Sequence, residues 1–175
     1  MFRSLVSAFV MLAISPILGG DDMPSGGEPV VEPEAWEDHV ESVVSSLSTW
    51  PSADQSVIAE VAVAVARHSY AVGIDHRLTV AVMKIENPWL DADTVSHAGA
   101  VGLLQVMPKY WAQEFGHCGD DLKDIDVNVC KGTEILRFYI ERSSTLKQAL
   151  LAYNGCSENN PRCQSYPDDV TGQLD

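Results

Sequence analysis

The sequence has few basic residues. Its 175 residues include 11 Lys and Arg against 25 Asp and Glu, which gives a formal net charge of −14. Because binding to phosphates requires clustered Lys and Arg, this composition excludes nucleic acid as a partner. The sequence also lacks a Cys-x-x-Cys pair and a metal-ligand spacing among its histidines, so neither a zinc ribbon nor a bound metal or cofactor is expected.

Strand patterns are missing as well. No segment shows convincing period-two alternation of apolar and polar residues, and apolar residues recur instead at the spacing of an α-helix. The length fits one domain of ordinary size. The sequence therefore predicts a single, mostly α-helical domain, with helices over about 34–48, 52–72, 75–86, 125–140 and 145–153.

The N-terminus resembles an export signal. Arg3 precedes an almost wholly apolar run, residues 5–18, which is shorter than the roughly 20 residues of a membrane span. Residues 1–20 are therefore predicted to be either a cleaved signal peptide or an uncleaved membrane anchor. Residues 21–34 are rich in acidic residues, Pro and Gly, which predicts a disordered linker.

The rest of the chain divides into three parts. We predict an N-terminal helix over 35–50, the main domain over 51–166 and a loose polar tail over 167–175. Four cysteines lie in the C-terminal third, and two disulfides in an oxidising compartment are expected of an exported chain. Three pairings are open, and the pairing of sequence neighbours is the simplest; the cysteines are Cys118, Cys130, Cys156 and Cys163.

Glu86 is the first candidate for chemistry. It ends an apolar helix, just before Pro88. Partial desolvation and the negative end of the helix dipole both raise the pKa of a carboxyl group at such a position. A raised pKa keeps the proton that a general acid must donate. The alternative is an ordinary solvated glutamate at a helix end.

Two further segments carry polar groups in apolar surroundings. The first, residues 99–108, contains Gly102 and a lone amide, Gln105; the alternative is a buried helix. The second, residues 149–155, ends on Tyr153 and Asn154, whose side chains can donate hydrogen bonds into a cleft. Its alternative is a helix C-cap without a function.

Taken together and in this order, these features resemble the soluble lytic transglycosylase (SLT) family. That family shows a catalytic Glu at a helix end, then Ser-x-x-Gly-Ala-x-Gly-Leu-Met-Gln-x-Met-Pro, Asn-x-x-x-Gly-Thr and Ala-Tyr-Asn. The matching positions are Glu86, residues 96–108, residues 128–133 and residues 152–154. The resemblance covers about residues 57–158.

The resemblance implies a lysozyme-like fold of the α+β superfamily, here a compact helical domain with a substrate cleft. It also implies a monomeric enzyme that cleaves the β-1,4 bond between N-acetylmuramic acid and N-acetylglucosamine in peptidoglycan strands and leaves 1,6-anhydro ends. Such an enzyme acts in the periplasm or outside the cell, whether free or tethered through residues 5–18. Glu86 would be the catalytic residue, and the substrate-binding residues would be Asn87, Ser96, Gly102, Gln105, Met107, Tyr153 and Asn154.

Departures from the family pattern leave two alternatives open. Asn87 stands where the family usually has Ser, and Gly155-Cys156 replaces the usual residues after Ala-Tyr-Asn. If Asp91 or Asp93 activates a water molecule, the enzyme would be a hydrolytic lysozyme of the goose type. A non-catalytic glycan-binding or structural module on the same fold is the alternative outside the enzymes.

Overall fold

The structure is a computed structural model that describes residues 33–48, 50, 55–157 and 159–174. These residues form seven α-helices and two short 3-10 turns, at 116–118 and 161–163. The predicted signal or anchor over 1–20 lies outside them, as does nearly all of the predicted linker. The helices are α1 (Pro33–Leu47), α2 (Gln55–Ala71), α3 (His76–Glu86), α4 (Pro108–Trp111), α5 (Ile125–Arg142), α6 (Leu146–Tyr153) and α7 (Tyr166–Thr171).

The core forms around α2 and α3. Helix α2 packs against α1, α3 and α5, and its residues Val61 and Val65 are fully buried. Helix α3 begins at a side-chain cap, where the Asp75 carboxylate accepts a hydrogen bond from the Arg77 backbone N–H. Every residue from Leu78 to Met83 is buried, and the hydroxyl of Thr79, the polar residue among them, is hydrogen-bonded to that of Ser69. This burial fixes the end of α3, where Glu86 lies.

The predicted fold class is confirmed. The described residues form a mostly helical domain without a β-strand, and pairing is limited to isolated bridges between Val95 and Val101 and between Val101 and Val106. Residues 99–107, for which a buried helix was the alternative, form an irregular loop. Three positions of that loop, Gly99, Gly102 and Gln105, have positive φ angles, which are incompatible with a right-handed helix.

The C-terminal tail differs from its prediction. Residues 167–175 were expected to be loose, but α7 occupies Tyr166–Thr171 and packs against α3 and α6. Val170 is fully buried in the main core. The polar composition of this segment predicts a loose tail because only one face of the short helix is apolar, and that face is buried.

Both disulfides join sequence neighbours, the simplest of the three pairings. The first links Cys118, in the 3-10 turn at 116–118, to Cys130 in α5, with the Cα atoms 5.6 Å apart. The second links Cys156, after α6, to Cys163, with the Cα atoms 6.4 Å apart. Each bridge therefore closes one irregular loop.

Removing the first disulfide should lower stability without changing the fold. For the double variant Cys118→Ser/Cys130→Ser, we expect the free energy of unfolding to fall by about 2–3 kcal/mol, because a short closed loop restricts the unfolded chain. Urea unfolding under non-reducing conditions measures the difference. An unchanged unfolding midpoint would contradict a stabilising role for this bridge.

None of the helices that the structure describes is both long and apolar enough to cross a lipid bilayer. The apolar run at 5–18 lies outside the described residues.

Candidate active site

Glu86 lies at the end of α3, partly buried. Its carboxylate accepts a hydrogen bond of 2.5 Å from the hydroxyl group of Tyr166. Burial raises the pKa of Glu86, and the Tyr166 hydrogen bond opposes that shift because it favours the ionised form. The prediction of a desolvated carboxyl group at this helix end agrees with this geometry. The raised pKa favours a carboxyl group that holds its proton and can donate it.

Tyr166 is the site residue that the sequence analysis missed. It begins α7 and is 7% exposed. Burial raises the pKa of its phenol, and the charge of Glu86 raises it further, so the phenol remains a hydrogen-bond donor. The sequence signal here is Pro167, which is typical of the first turn of a helix. That signal predicts a helix start and carries no information about Glu86, which is 80 residues away.

Tyr153 anchors the neighbouring loop. Its hydroxyl donates a hydrogen bond of 2.8 Å to the backbone carbonyl of Leu104. Burial, followed by the charge of Glu86, raises its pKa well above the ordinary value for tyrosine. The structure thus brings Tyr153 into the electrostatic surroundings of Glu86. Its phenol, however, positions the loop, whereas the phenol of Tyr166 contacts the acid.

The loop over 99–108 adopts a tight irregular path. Gly102 and Gln105 both have left-handed φ angles, of 78° and 46°. The Gln105 side-chain amide donates a hydrogen bond of 2.8 Å to the Gly102 carbonyl, within the same loop. A left-handed conformation is uncommon in residues other than glycine and recurs at functional sites. Gln105 is therefore held in a specific orientation rather than packed as an ordinary core amide.

The side chain of Asn128, in α5, holds this loop in place through hydrogen bonds to its backbone. Its fully buried side chain donates hydrogen bonds to the carbonyls of Val101 and Leu122, and accepts one from the Leu104 backbone N–H. A Cβ atom on Gly102 would collide with this amide, so glycine is required there. These contacts explain why the first residue of the Asn-x-x-x-Gly-Thr pattern is an amide.

Gly132 and Thr133 complete the same pattern. A Cβ atom on Gly132 would collide with the side chain of Leu104, so glycine allows the loop to pack directly on α5. The Thr133 hydroxyl donates to backbone carbonyls of its own helix, at Val129 and Cys130. The pattern is thus a platform for the loop beside Glu86.

The Asn87 side chain is buried and hydrogen-bonded to backbone atoms. It is 1% exposed, and its amide donates to the carbonyls of Asp91 and Gly102 and accepts from the Asp91 backbone N–H. The side chain that replaces the family's Ser therefore ties the end of α3 to two loops. This position in the interior differs from the predicted contact with substrate.

The other predicted site residues lie along the same two segments. The Ser96 hydroxyl accepts a hydrogen bond from the Ala100 backbone N–H. Met107 is partly buried and precedes α4, at its N-cap position. Asn154 is exposed and caps the C-terminus of α6, one residue after Tyr153. Ser96 thus lies just before the loop over 99–108, Met107 lies near its end, and Asn154 directly follows α6.

Comparison with known families adds to this geometry. Residues 64–173 match the model of the transglycosylase SLT domain, which is more than half of the chain. The chain belongs to the transglycosylase SLT domain family. No curated protein sequence and no solved structure gives a significant match. The SLT domain match extends beyond the predicted domain end at 166 and includes all of α7, so Tyr166 lies within it.

Asp91 and Asp93 are the candidates in the SLT domain for a second catalytic carboxylate. The Asp91 carboxylate accepts a hydrogen bond from the Asp93 backbone N–H, and the Asp93 carboxylate pairs with Lys123 at 3.1 Å. The pKa shift of Glu86 arises from burial and Tyr166. Neither aspartate contributes to it among the residues that the structure describes.

One group of metal-ligating residue types occurs in the described part of the SLT domain. His117, Cys118 and Cys130 lie within 4.8 Å of one another, and a carboxylate oxygen of Glu134 lies 3.0 Å from His117. Because the two cysteines form a disulfide, their sulfurs are not the thiolates that bind metals. The geometry there is that of a disulfide beside a contact between a histidine and a glutamate.

Proposed function

We propose that this SLT domain is an exported peptidoglycan lytic transglycosylase in which Glu86 is the catalytic acid and base. The observation that carries the proposal is the partly buried Glu86 carboxylate, with its raised pKa and its hydrogen bond from Tyr166. The family match supports activity on peptidoglycan. Both disulfides fit an oxidising compartment outside the cytoplasm.

The first step is protonation of the glycosidic oxygen. Glu86 donates its proton to the oxygen that links N-acetylmuramic acid to N-acetylglucosamine, and the bond to the muramic acid carbon breaks. The raised pKa of Glu86 favours the protonated form that this step requires. After the transfer, the Tyr166 hydroxyl stabilises the carboxylate that is left.

The second step uses the same carboxylate as a base. Glu86 takes the proton from the 6-hydroxyl of the muramic acid residue, and that oxygen closes onto the anomeric carbon to form the 1,6-anhydro ring. Most glycosidases use a second carboxylate at this stage. Here the acetamido group of the substrate stabilises the positive charge on the sugar, so one protein carboxylate suffices.

The hydrolytic alternative requires a positioned water and a carboxylate to activate it. Asp93 is exposed and paired with Lys123, and the Asp91 carboxylate holds a turn. Because both carboxylates already take part in these contacts, the geometry favours the transglycosylase over the goose-type lysozyme. A non-catalytic glycan-binding module would not need an acid with a raised pKa, which favours an enzyme over that class.

The glycan would bind along the loop over 99–108 and the end of α6. We assign substrate contacts to Ser96, Gln105, Met107 and Asn154, and we assign to Asn87, Gly102 and Tyr153 the role of holding the loop that presents them. This division follows burial, because Asn87 and Gly102 are buried whereas Ser96, Gln105 and Met107 are only partly buried and Asn154 is exposed. The Tyr153 hydroxyl is placed with the first group because it donates to the Leu104 carbonyl.

Tyr166→Phe should move the pH dependence of catalysis. The phenol hydrogen bond favours ionised Glu86, so its loss should raise the Glu86 pKa above its already raised value. Since the acid must be protonated, the alkaline limb of the kcat/KM profile should shift to higher pH. Near the optimum, we expect kcat to fall by about tenfold, as hydrogen bonds to charged groups contribute about 1.5 kcal/mol or more.

The profile is measured on purified peptidoglycan, with circular dichroism as the folding control. A limb that stays in place or moves to lower pH would contradict the assigned role of Tyr166. A separate zymogram with embedded cell walls tests the class of function: clearing by the wild type is expected, and its absence would favour the glycan-binding module.

A further inference from the structure

The Cys156–Cys163 disulfide connects the two elements that carry the active-site tyrosines. Cys156 follows α6, three residues after Tyr153, and its backbone N–H donates to the Leu151 carbonyl. Cys163 lies in the 3-10 turn at 161–163, three residues before Tyr166. The bridge therefore joins the end of one tyrosine-bearing helix to the start of the other.

The segment between the two cysteines is held by short-range contacts. The Asn160 backbone N–H donates to the Ser157 carbonyl, and the Cys163 backbone N–H donates to the Asn160 carbonyl. Cys163 itself is 8% exposed, so the bridge reaches the interior while most of the segment lies at the surface. The disulfide is thus a second covalent connection, besides the backbone, between the end of α6 and the residues that lead into α7.

Both ends of α7 pack in the main core, and the N-terminal end is in addition close to the Cys156–Cys163 bridge. Val170, near its C-terminal end, is fully buried in the main core. At its N-terminal end, Tyr166 and Pro167 are buried, and the chain leads directly back to Cys163. Tyr166 lies three residues after Cys163 and Val170 lies seven residues after it, so a loss of the bridge would act first on the end of α7 that carries the phenol.

We infer that the Cys156–Cys163 disulfide is a positioning element of the active site, which holds the Tyr166 hydroxyl against Glu86. The inference rests on the proposed function. Its chemical consequence is a redox dependence of catalysis: a dithiol reductant converts the bridge to two thiols and is itself oxidised to a disulfide, and Tyr166 then samples positions away from Glu86. A hydrogen bond of 2.5 Å weakens steeply with such displacement.

The chain supplies a matched control. The Cys118–Cys130 disulfide closes a longer loop, with a sequence separation of 12 against 7, and it joins a 3-10 turn to α5 rather than the tyrosine-bearing helices. A general loss of stability should therefore be at least as large for that bridge. An effect specific to catalysis should be confined to Cys156–Cys163.

The test compares both double Cys→Ser variants of the full chain on purified peptidoglycan. For Cys156→Ser/Cys163→Ser, we expect kcat to fall by about fivefold to tenfold with KM changed less than about twofold, because a bridge that acts through the Tyr166 hydroxyl cannot cost more than the loss of that hydroxyl, which is about tenfold. The Cys118→Ser/Cys130→Ser control should keep wild-type kcat below its unfolding temperature. An unchanged kcat in the first variant would overturn the inference.

A double-mutant cycle with Tyr166→Phe separates positioning from general loosening. If the bridge acts through the phenol, removing it in the Tyr166→Phe background should lower kcat less than about twofold further, because interacting residues are not additive. Additive losses would overturn the inference.

Reduction of protein that has already folded tests the Cys156–Cys163 bridge without requiring a variant to fold in its absence. Dithiothreitol added to folded Cys118→Ser/Cys130→Ser protein should lower kcat by the same factor, and reoxidation should restore it. Full activity after complete reduction, checked by thiol labelling, would overturn the inference. The proposed function fails separately, if the wild type releases no anhydro-muropeptides.

Discussion

Glu86→Gln should lower the release of soluble muropeptides from purified cell walls by about 10³- to 10⁴-fold, the upper part of the range for general acid–base catalysis. The amide fits the same space and can still accept the hydrogen bond from Tyr166. It cannot transfer a proton, and the proposed mechanism uses this one residue in both steps. The large loss of rate should therefore occur without a loss of fold.

Two controls make this result interpretable. Circular dichroism and the unfolding midpoint should match the wild type, and binding to insoluble peptidoglycan in a pull-down should persist, since the loop over 99–108 is unchanged. Asp91→Asn is the matched carboxylate control and should retain most of the activity. A folded Glu86→Gln variant with more than about a tenth of wild-type activity would contradict the mechanism, given the loss expected for an acid–base residue.

Asn128→Ala should be the most damaging substitution for stability among those considered. It removes three buried hydrogen bonds, to Val101, Leu104 and Leu122. We expect the free energy of unfolding to fall by about 3–5 kcal/mol, because a buried polar group left without its partner costs about 1–3 kcal/mol. Urea unfolding measures the change.

Asn159→Ala is the matched control for Asn128→Ala, because Asn159 is an exposed asparagine. Its effect should lie within about 0.5 kcal/mol of zero, as is usual for surface substitutions. If the two variants unfolded at the same urea concentration, the account of Asn128 as the support of the loop over 99–108 would be wrong.

The helices and the acid could be predicted because their signals are local. The spacing of apolar residues in α3 and the proline after its end are both within a few positions of Glu86. They predicted a helix end with a desolvated carboxyl group, and Glu86 has the raised pKa that such a position implies. The sequence left three disulfide pairings open, and the simplest of them, between sequence neighbours, is the one in the structure.

Tyr166 could not be predicted because its contact is long-range. Tyr166 contacts Glu86, which lies 80 residues away in the sequence. The sequence segment around Tyr166 is short and polar. Only the packing of α7 against α3 brings the phenol to the acid. The same packing orders the tail that the sequence predicted to be loose.

The loop over 99–108 shows a third case, in which the residues were predicted and their arrangement was not. The sequence points to glycine at 102 and an amide at 105, but the apolar pattern of the segment, taken alone, favours a buried helix. The irregular loop forms instead of a helix because the Asn128 side chain donates a hydrogen bond to the Val101 carbonyl and accepts one from the Leu104 N–H. That partner lies on another helix and is not visible in the local pattern.

Mass spectrometry of the sugar ends that the wild-type protein releases from purified peptidoglycan, digested in heavy-oxygen water, distinguishes the transglycosylase from the hydrolase. A lytic transglycosylase leaves 1,6-anhydro-N-acetylmuramic acid ends, which lack one water relative to hydrolytic products and carry no heavy oxygen at the anomeric position. Reducing muramic acid ends that contain the solvent's oxygen would contradict the proposed function and identify the enzyme as a hydrolytic lysozyme.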